Sequence, residues 1–513
     1  MSRPEPVLGP ASFGLGYDEP FPAGVWVELA PGIRHPSPGV VFGGTPPRLL
    51  RLSARGVALM SGFSSAPVGA GASAVLARRL TDAGIAVPRP ERAHAPPAPP
   101  APLDDAIDDA TDDATDDAID DAVDVTVVVP VRDRPRELAD CLASLGRRQR
   151  VLVVDDGSRD ATAVAVVCRR HGASLVRVPV SKGPAAARNT GLRMVTSELV
   201  AFVDSDCVPA PDAIARLAAH FVDPLVVGVA PRIVAVPPAR GSSLLDLGKR
   251  PASVHPAGRV PYVPAAAVVF RRTALGGGYD ERLRYGEDVD LVWRLSEAGW
   301  RIRYEPDVEV GHQDPATAVE RCHRRFCYGT SVGALERAHP GAIDHLTIGP
   351  GPALALGALL VGSPGLAACA WAAATARLSE QLRPLGARRR FALALSGGQL
   401  VHAWLGLARW CTSFGLPVLA GAALARRRLP GRRTRRATAL LVATPVVADR
   451  FGPSGTGRRV VVDGLLGELA YGLGVMVGCA RAGVIGPLVP RIGRRRAGAA
   501  SRAGSAPRPP HAP

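Results

Sequence analysis

Two aspartates follow an apolar run in the segment LVAFVDSDC. Asp204 and Asp206 flank Ser205 directly after a predicted strand. Carboxylates at such a turn can both face a divalent cation, and that cation would neutralise the charge growing on a departing nucleotide diphosphate. Two solvated loop aspartates are the plain alternative. The position of the pair after the fourth strand of a βα series favours the metal-site hypothesis, with Ser205 and Asp204 also on the donor side.

A second acidic strand end, VLVVDDGSRDAT, lies about fifty residues earlier. Asp155 or Asp156 could accept the imide N–H of uracil, and Gly157 allows a close approach of the backbone. Asp160 or Ser158 could also simply cap the next helix. The two roles are compatible, so the segment is a candidate for binding the base of a nucleotide.

Two further segments extend this donor-binding hypothesis. The backbone of VVVPVRDRP, from Pro130 and Val131 to Asp133, would form the floor of the base pocket. In SKGPAAARNTGL, Lys182 and Arg188 could meet the base or the diphosphate.

Gly183 in the same segment precedes a predicted helix, whose N-terminus would attract phosphate. The alternative for Arg188 is a structural role, in which it and Asn189 satisfy neighbouring strand ends.

A third carboxylate cluster lies in GGGYDERLRYGEDVDLVWRLSEAGW. Glu287 and Asp288 stand at the head of a predicted helix, where they could merely complement the helix dipole. The more specific hypothesis is a general base, because displacement of a nucleotide from a sugar requires removal of a proton from the attacking hydroxyl. We assign this role to Asp288 first and to Glu287 second. Asp280 and Trp293 are then expected on the acceptor side.

His312 follows a further strand-like segment, IRYEPDVEVGHQD. An imidazole at this position is a candidate third metal ligand beside Asp204 and Asp206, or a contact to the diphosphate. A structural histidine after a strand is the alternative.

The elements that must position these residues alternate between strands and helices from residue 125 onward. VTVVVPV, VLVVDD, SLVRVPV and LVAFVD are continuous apolar runs, and helical periods separate them. This order predicts an α/β fold with a doubly wound, mostly parallel sheet. Ligands bind outside the carboxyl ends of such strands, which is where the motifs fall.

The flanking regions predict a modular chain. We expect a disordered N-terminus over 1–20, a small winged-helix-like module over 21–91, a Pro/Ala and acidic linker over 92–124 and a catalytic domain over 125–345. The first residues lack an apolar core segment, so we expect no cleaved signal peptide.

An apolar helical region is expected over 346–490, followed by a disordered basic tail over 491–513. Its apolar stretches, 349–376 and 391–425, are long enough to span a bilayer, but they are rich in Ala and Gly. Membrane association and a packed helical domain both stay open. A cytoplasmic location is expected, with the inner face of the cell membrane as the alternative site.

The net charge indicates which kinds of partner suit the protein, and the cysteines indicate its compartment. The net charge is +16 although 11 of the 46 acidic residues are clustered in the linker. Such a basic balance suits anionic substrates or an anionic membrane surface. We expect no nucleic acid partner, because the sequence lacks a nucleic-acid motif. Eight scattered cysteines without CxxC pairs are typical of reduced residues in an intracellular protein.

Taken in order, VPVRDRP, VVDDGS, GPAAARN, VDSD and YGEDVDLVWRL resemble the family-2 glycosyltransferases of the GT-A fold, over about residues 125–314. The resemblance implies that Asp156 contacts uracil, that Asp204 and Asp206 bind the ribose and Mn²⁺ or Mg²⁺, and that Asp288 is the base. It also implies a single displacement that inverts the anomeric carbon. The QxxRW motif of processive members is missing, which argues against a polymerase.

The N-terminal stretch GVWVELAPGIRHPSPGVVFGG, the catalytic region and the apolar tail are together similar to the mycofactocin-system branch of this family. That resemblance implies a UDP-sugar donor such as UDP-glucose, a peptide-derived redox cofactor as the acceptor, and an N-terminal module that contacts other pathway proteins. A polyprenyl-phosphate or cell-envelope glycan acceptor is the alternative. A non-catalytic binding or scaffold protein is the alternative of a different class.

Overall fold

The structure is a computed structural model. It describes residues 4–16, 18–90, 124–147, 149–236, 243–387, 389–415, 439–441, 443–444 and 458–493, the last range without the side chains of 458–463. The predicted linker up to residue 123 and the predicted tail beyond residue 493 therefore lie outside the described residues. So does the second predicted apolar stretch beyond residue 415.

Short strands and two helices form the region before the linker. They are β1 (Trp26–Leu29), β2 (Arg34–Ser37), β3 (Val40–Gly43), β4 (Arg48–Arg51), α1 (Ala54–Gly62), α2 (Ala72–Asp82) and β5 (Ala86–Arg89). Strands β2, β3 and β4 form an antiparallel sheet, and β1 pairs with β5. An apolar core that includes Phe21, Val27, Val41 and Leu80 holds these elements together. The winged-helix-like class of this module stays a prediction.

Four parallel strands begin the central sheet, in the order β8–β7–β6–β9. They are β6 (Val125–Val131), β7 (Arg150–Asp156), β8 (Ser174–Val178) and β9 (Leu199–Val203). Helices α3 (Pro135–Leu145), α4 (Ala161–His171) and α5 (Pro184–Met194) connect them. Consecutive residues of β6 and β9 are buried because helices and loops cover both faces, as the continuous apolar runs predict.

Antiparallel and parallel strands extend this sheet beyond β9 to nine strands. They are β10 (Cys207–Pro209), β11 (Val226–Ala235), β12 (Ala252–Ser253), β13 (Ala267–Arg271) and β14 (Arg301–His312). Helices α6 (Ala213–Ala218) and α7 (Glu287–Glu297) lie between them. Strand β13 runs antiparallel to β9, whereas β11 and β14 are parallel to each other. The predicted α/β fold with a mixed, mostly parallel sheet is confirmed.

Helices dominate the described C-terminal part. They are α8 (Ala318–Thr330), α9 (Val332–Ala338), α10 (Pro350–Leu360), α11 (Pro364–Leu382), α12 (Arg389–Trp410) and α13 (Arg458–Ala482). Two short strands, β15 (Thr347–Ile348) and β16 (Arg491–Ile492), pair in parallel. The predicted stretch 349–376 is interrupted at residues 361–363, where α10 ends and Pro364 begins α11. Two helical segments, Arg389–Gly415 and Gly464–Ala482, are long and apolar enough to cross a membrane by length and composition.

Described residues of the N-terminal segment, Leu8 and Phe13, pack against the catalytic domain, whereas we expected disorder over 1–20. The carbonyl oxygen of Leu8 accepts a hydrogen bond from the Trp300 indole at 2.5 Å, and the rings of Phe13 and Trp300 lie 5.6 Å apart. Few residues in this segment suggest a regular element, so its sequence gives no sign of an ordering that depends on a distant tryptophan.

Candidate active site

One large cavity, of about 1520 Å³, opens at the carboxyl ends of β6, β7 and β9. Most of the predicted site residues line it, namely Pro130, Val131, Asp156, Lys182, Gly183, Arg188, Asp204, Ser205, Asp206, Glu287, Asp288, Trp293 and His312. These side chains come from segments more than 180 residues apart in sequence. The sheet topology brings them together because parallel strands present their carboxyl ends at one edge.

Arg188 joins the two acidic sides of the cavity. Its Nη2 lies 2.5 Å from Oδ1 of Asp204, and its Nη1 lies 2.9 Å from Oε1 of Glu287. The guanidinium is buried and also lies over the ring of Tyr279, at 5.5 Å from the centroid. Charge-assisted hydrogen bonds of this kind are strong in a dry environment, so Arg188 fixes the distance between the two carboxylates.

Asp206 is held by residues from two other elements. Arg134 donates a hydrogen bond to its Oδ2, and Nε2 of His312 lies 3.8 Å from its Oδ1. The other ring nitrogen of His312 lies 3.2 Å from Asp314. Burial alone would lower the pKa of His312, but the adjacent carboxylates of Asp314 and Asp206 raise it. A carboxylate partner of this kind also orients a metal-binding imidazole.

Asp206 and His312 have the spacing of two ligands of one cation, and the three-ligand set that the sequence suggested stays a prediction. Two ligands that bind one ion at roughly 2 Å lie about 3–4 Å apart, and Asp206 and His312 meet this condition. Asp204 is paired with Arg188 instead. Among the residues that the structure describes, no three His, Cys, Asp or Glu side chains lie close enough to hold a metal ion together.

Asp156 organises the loop that leads into α5. Its carboxylate accepts hydrogen bonds from the backbone N–H groups of Lys182 and Gly183, at 2.8 and 2.9 Å, and from the hydroxyl of Ser181 at 2.7 Å. A carboxylate has about four lone-pair positions, so one remains for a ligand. The structure thus gives Asp156 a structural role that leaves room for the predicted contact to uracil.

Two predicted donor residues do not line the cavity. Asp155 is buried and accepts a hydrogen bond from the N–H of Ser158, whereas Asp133 accepts one from the N–H of Arg159. Asp133 also has a φ of 56°, a left-handed conformation that aspartate tolerates better than most residues. Both side chains hold the strand-end loops beside the cavity. The capping role expected in this segment belongs to Asp160, whose carboxylate accepts a hydrogen bond from the N–H of Ala163 at 2.9 Å.

The candidate bases lie in the first turn of α7. Burial and the neighbouring charge of Asp288 raise the pKa of Glu287 to about 7. Burial likewise raises the pKa of Asp288, whose two oxygens accept hydrogen bonds from the N–H groups of Val289, at 2.8 Å, and Ala265, at 3.3 Å. A carboxylate with a raised pKa that faces a cavity is suited to accept a proton near neutral pH.

Of the two residues predicted on the acceptor side, one lines the cavity and the other does not. Trp293 lines the cavity, and its indole N–H donates to the carbonyl of Pro261 at 2.8 Å. Asp280 does not line it and forms an ion pair with Arg282 at 2.6 Å. The sequence showed a carboxylate after a glycine loop but could not show that an arginine two residues later would bind it.

Several cavity residues escaped the sequence analysis. Arg134 was only part of a motif, although it binds Asp206. Tyr262, Tyr328 and Tyr471 also line the cavity, and Tyr471 comes from α13, almost 200 residues beyond the candidate bases. No local pattern marks these tyrosines, because each is brought in by long-range packing.

This combination of a mixed α/β sheet and clustered carboxylates at its strand ends defines a nucleotide-sugar glycosyltransferase of the GT-A fold. The model of the family described as Glycosyl transferase family 2 matches residues 126–275. The match covers β6 to β13 and therefore includes Asp156, Arg188, Asp204 and Asp206.

Proteins similar in sequence identify the family of the chain within this class. The pre-mycofactocin glycosyltransferase of Mycobacterium tuberculosis is 36% identical to the chain over 498 residues, which cover 92% of this chain and 98% of the relative. An N-acetylglucosaminyltransferase of Mesorhizobium japonicum is 30% identical over 208 residues, or 35% of this chain and 49% of that protein. The chain belongs to the family of the pre-mycofactocin glycosyltransferases, within glycosyl transferase family 2.

Among solved structures, a mannosyltransferase of Pyrobaculum calidifontis in complex with GDP-Man and Mn²⁺ is similar to the chain with a TM-score of 0.41 and 20% sequence identity. The similarity covers 70% of this chain and 87% of the mannosyltransferase.

Proposed function

We propose that this glycosyltransferase transfers glucose from UDP-glucose to a peptide-derived redox cofactor of the pre-mycofactocin type, with inversion at the anomeric carbon. The observation that carries the proposal is the cavity in which Arg188 connects Asp204 to Glu287, beside Asp288. The name of the M. tuberculosis relative, which is similar over nearly its whole length, supports the acceptor.

The donor would occupy the side of the cavity formed by the ends of β6, β7 and β9. Pro130 and Val131 provide an apolar floor for the base, and Asp156 has one free acceptor position for the uracil imide N–H. Lys182 follows at the entrance to α5, where a helix N-terminus and a cation favour phosphate.

Asp206 and His312 would hold Mn²⁺ or Mg²⁺, and oxygens of the donor diphosphate would complete the ligands. When bound, the cation neutralises the negative charge on the departing diphosphate. Arg134 and Arg188 bring positive charge from the chain itself to this part of the cavity. Each pairs with one aspartate of the DxD sequence. Their guanidinium groups would add to the stabilisation of the leaving group.

Asp288 would act as the general base. The hydrogen bonds from Val289 and Ala265 fix its carboxylate while leaving a lone pair on each oxygen. The carboxylate takes the proton of the acceptor hydroxyl as the hydroxyl oxygen bonds to the anomeric carbon. The bond from that carbon to the diphosphate oxygen breaks in the same displacement, and its electron pair leaves with UDP.

A donor screen tests the first half of this proposal. Purified enzyme with Mn²⁺ should release UDP from UDP-glucose faster than it releases the corresponding diphosphates from a panel of other UDP-, GDP- and dTDP-sugars. Addition of pre-mycofactocin should then yield a product with a β-linked glucose, which nuclear magnetic resonance identifies by its anomeric coupling. An α-linked product would contradict inversion, and a GDP- or dTDP-sugar preference would contradict the donor.

A polyprenyl-phosphate or cell-envelope glycan acceptor is the second candidate. The exposed apolar side chains of the C-terminal helices favour it, such as Leu354, Leu366 and Val401, which are 70%, 60% and 57% exposed. The same assay with polyprenyl phosphate in place of pre-mycofactocin separates the two. A lipid-linked sugar without a glucosylated peptide-derived product would establish this second candidate.

The same helices support a place at the cytoplasmic face of the cell membrane. Arg383 is exposed just after α11, and Arg389 and Arg390 are exposed at the start of α12. Such a combination binds anionic lipid surfaces. Flotation with vesicles that contain phosphatidylglycerol should recover the enzyme, and recovery should fall in vesicles of phosphatidylcholine alone.

The N-terminal module would serve as the contact to other proteins of the pathway. It is fixed to the catalytic domain by Arg78, whose guanidinium makes two hydrogen bonds to Asp223 at 2.9 and 2.8 Å. A fixed module can hold a bound peptide or partner at a constant distance from the cavity. A pull-down that retains partners after deletion of the module would contradict this role.

A further inference from the structure

Helices α8 and α13 pack with their backbones in contact. Gly329 and Gly333 lie four residues apart in and just after α8, and Gly474 and Gly478 have the same spacing on α13. A Cβ atom at Gly474 would collide with the carbonyl oxygen of Phe326, and one at Gly478 with that of Thr330. The glycines thus permit an approach that no other residue allows at these positions.

This packing carries Tyr471 of α13 into the wall of the catalytic cavity. The backbone oxygen of Tyr471 would itself collide with a Cβ at Gly329, so the residue lies at the centre of the helix contact. The apolar C-terminal region is therefore part of the site, whatever its relation to a membrane.

Hydrogen bonds orient the Tyr471 hydroxyl. Nδ1 of His345 lies 2.8 Å from the carbonyl oxygen of Pro487, which can only accept, so Nδ1 carries a proton. Burial lowers the pKa of His345, so the ring is neutral and Nε2 has a lone pair. The Tyr471 hydroxyl, 3.3 Å from Nε2, then donates to it and keeps its own lone pairs for another group.

Tyr471 lies on the side of the cavity that holds the candidate base. The backbone oxygen of Tyr471 lies against Gly329 of α8, and the ring of the adjacent Tyr328 lies 6.3 Å from the ring of Tyr285, three residues before Asp288. These contacts connect Tyr471 to the start of α7, which carries the candidate base.

We propose that Tyr471 is a specificity-determining residue for the acceptor, and that its oxygen accepts a hydrogen bond from an O–H or N–H group of the acceptor, next to an apolar face of that molecule. Leu335 and Ile343 line the same part of the cavity and would contact the apolar face. The inference rests on the proposed function, because it requires a separate acceptor that meets Asp288.

Tyr471→Phe tests this inference, because it removes the hydroxyl and keeps the ring. With UDP-glucose and pre-mycofactocin as substrates, the KM for pre-mycofactocin should rise about three- to tenfold, as expected for one lost hydrogen bond. The KM for UDP-glucose and the rate of UDP release without acceptor should not change. Tyr304→Phe is the matched control, because its hydroxyl bonds to the carbonyl of Gly248 at 2.7 Å away from the cavity.

His345→Gln provides a second variant, since it disturbs the group that orients the hydroxyl. Its effect on the acceptor KM should not add to that of Tyr471→Phe in the double variant. An unchanged acceptor KM in Tyr471→Phe, a raised KM for UDP-glucose, or additive effects would overturn the inference. These results leave the proposed function standing, whereas absence of UDP release by the unmodified enzyme would overturn the proposed function itself.

Discussion

Arg188 and Glu287 meet across the cavity, 2.9 Å apart, although 98 residues separate them in the chain. The same guanidinium binds Asp204 with its other terminal nitrogen. One buried cation therefore fixes a residue of the DxD segment relative to the helix that carries the candidate bases. Through Arg188, the position of Asp204 therefore depends on the position of Glu287.

Replacement of Arg188 by Met should lower the free energy of unfolding by about 3–5 kcal/mol, because it leaves two carboxylates without their buried partner. Chemical denaturation measures the change. Arg216→Met is the control: the half-buried Arg216 pairs with the exposed Asp212 and donates to the carbonyl oxygen of Asp307, and its loss should cost less than about 1 kcal/mol. Equal losses in the two variants would contradict the central position of Arg188.

The rate of transfer should depend on pH through the carboxylates of α7. A general base must be ionised, so kcat/KM should fall with decreasing pH, and this fall should begin above the usual range of an aspartate because burial raises the pKa of Asp288. Glu287, with a pKa of about 7, takes up a proton in the neutral range. Glu287→Gln removes a negative charge next to Asp288, which favours ionisation of Asp288. The acid limb of the pH profile should then move to lower pH, and a shift to higher pH would refute the assignment.

The buried ion pairs between module and catalytic domain should be needed for stability. Asp223 is fully buried and also accepts a hydrogen bond from Arg303 at 2.5 Å, in addition to the two from Arg78. Asp223→Asn should lower the free energy of unfolding by about 3–5 kcal/mol. Asp307→Asn is the control, because Asp307 is 57% exposed and its partner Arg89 also binds Glu305. We expect almost no change in the control.

The glycine contact between α8 and α13 predicts that a Gly→Ala substitution lowers the stability at one position and raises it at another. Gly478→Ala should destabilise by about 1–3 kcal/mol, because the added methyl group meets the backbone of Thr330. Gly397→Ala, in α12, meets nothing within 4 Å and should stabilise by about 0.4–1 kcal/mol. Melting temperatures of the two variants give the comparison, and a decrease in both would show that the contact is not specific.

The sequence predicted much of the site because its signals are local. Asp204, Asp206 and Asp156 each stand at the end of an apolar strand, and parallel strands align such ends without further information. Glu287 and Asp288 gave a local signal of the same kind, because they stand in the first turn of a predicted helix. The sequence did not show that Arg134 pairs with Asp206 and Arg188 with Asp204, because both ion pairs join residues from different elements.

The acceptor side could not be predicted in the same way. Tyr471 enters the cavity only because α13 packs against α8 through glycines, and a glycine spacing does not name its partner helix. Asp280 shows the opposite case, where a plausible carboxylate was bound by the neighbouring Arg282. Packing over a long sequence distance decided the first outcome, whereas an ion pair between residues two positions apart decided the second.

The rate of glucosyl transfer by the Asp288→Asn variant tests most directly the central claim that Asp288 is the general base. The variant keeps the shape of the side chain but cannot accept the acceptor's proton, so the kcat for glucosylation of pre-mycofactocin should fall about 10²–10⁴-fold. The Kd for UDP-glucose should stay near that of the unmodified enzyme, and the exposed Asp212→Asn should transfer at the normal rate. Normal transfer by Asp288→Asn would contradict the account.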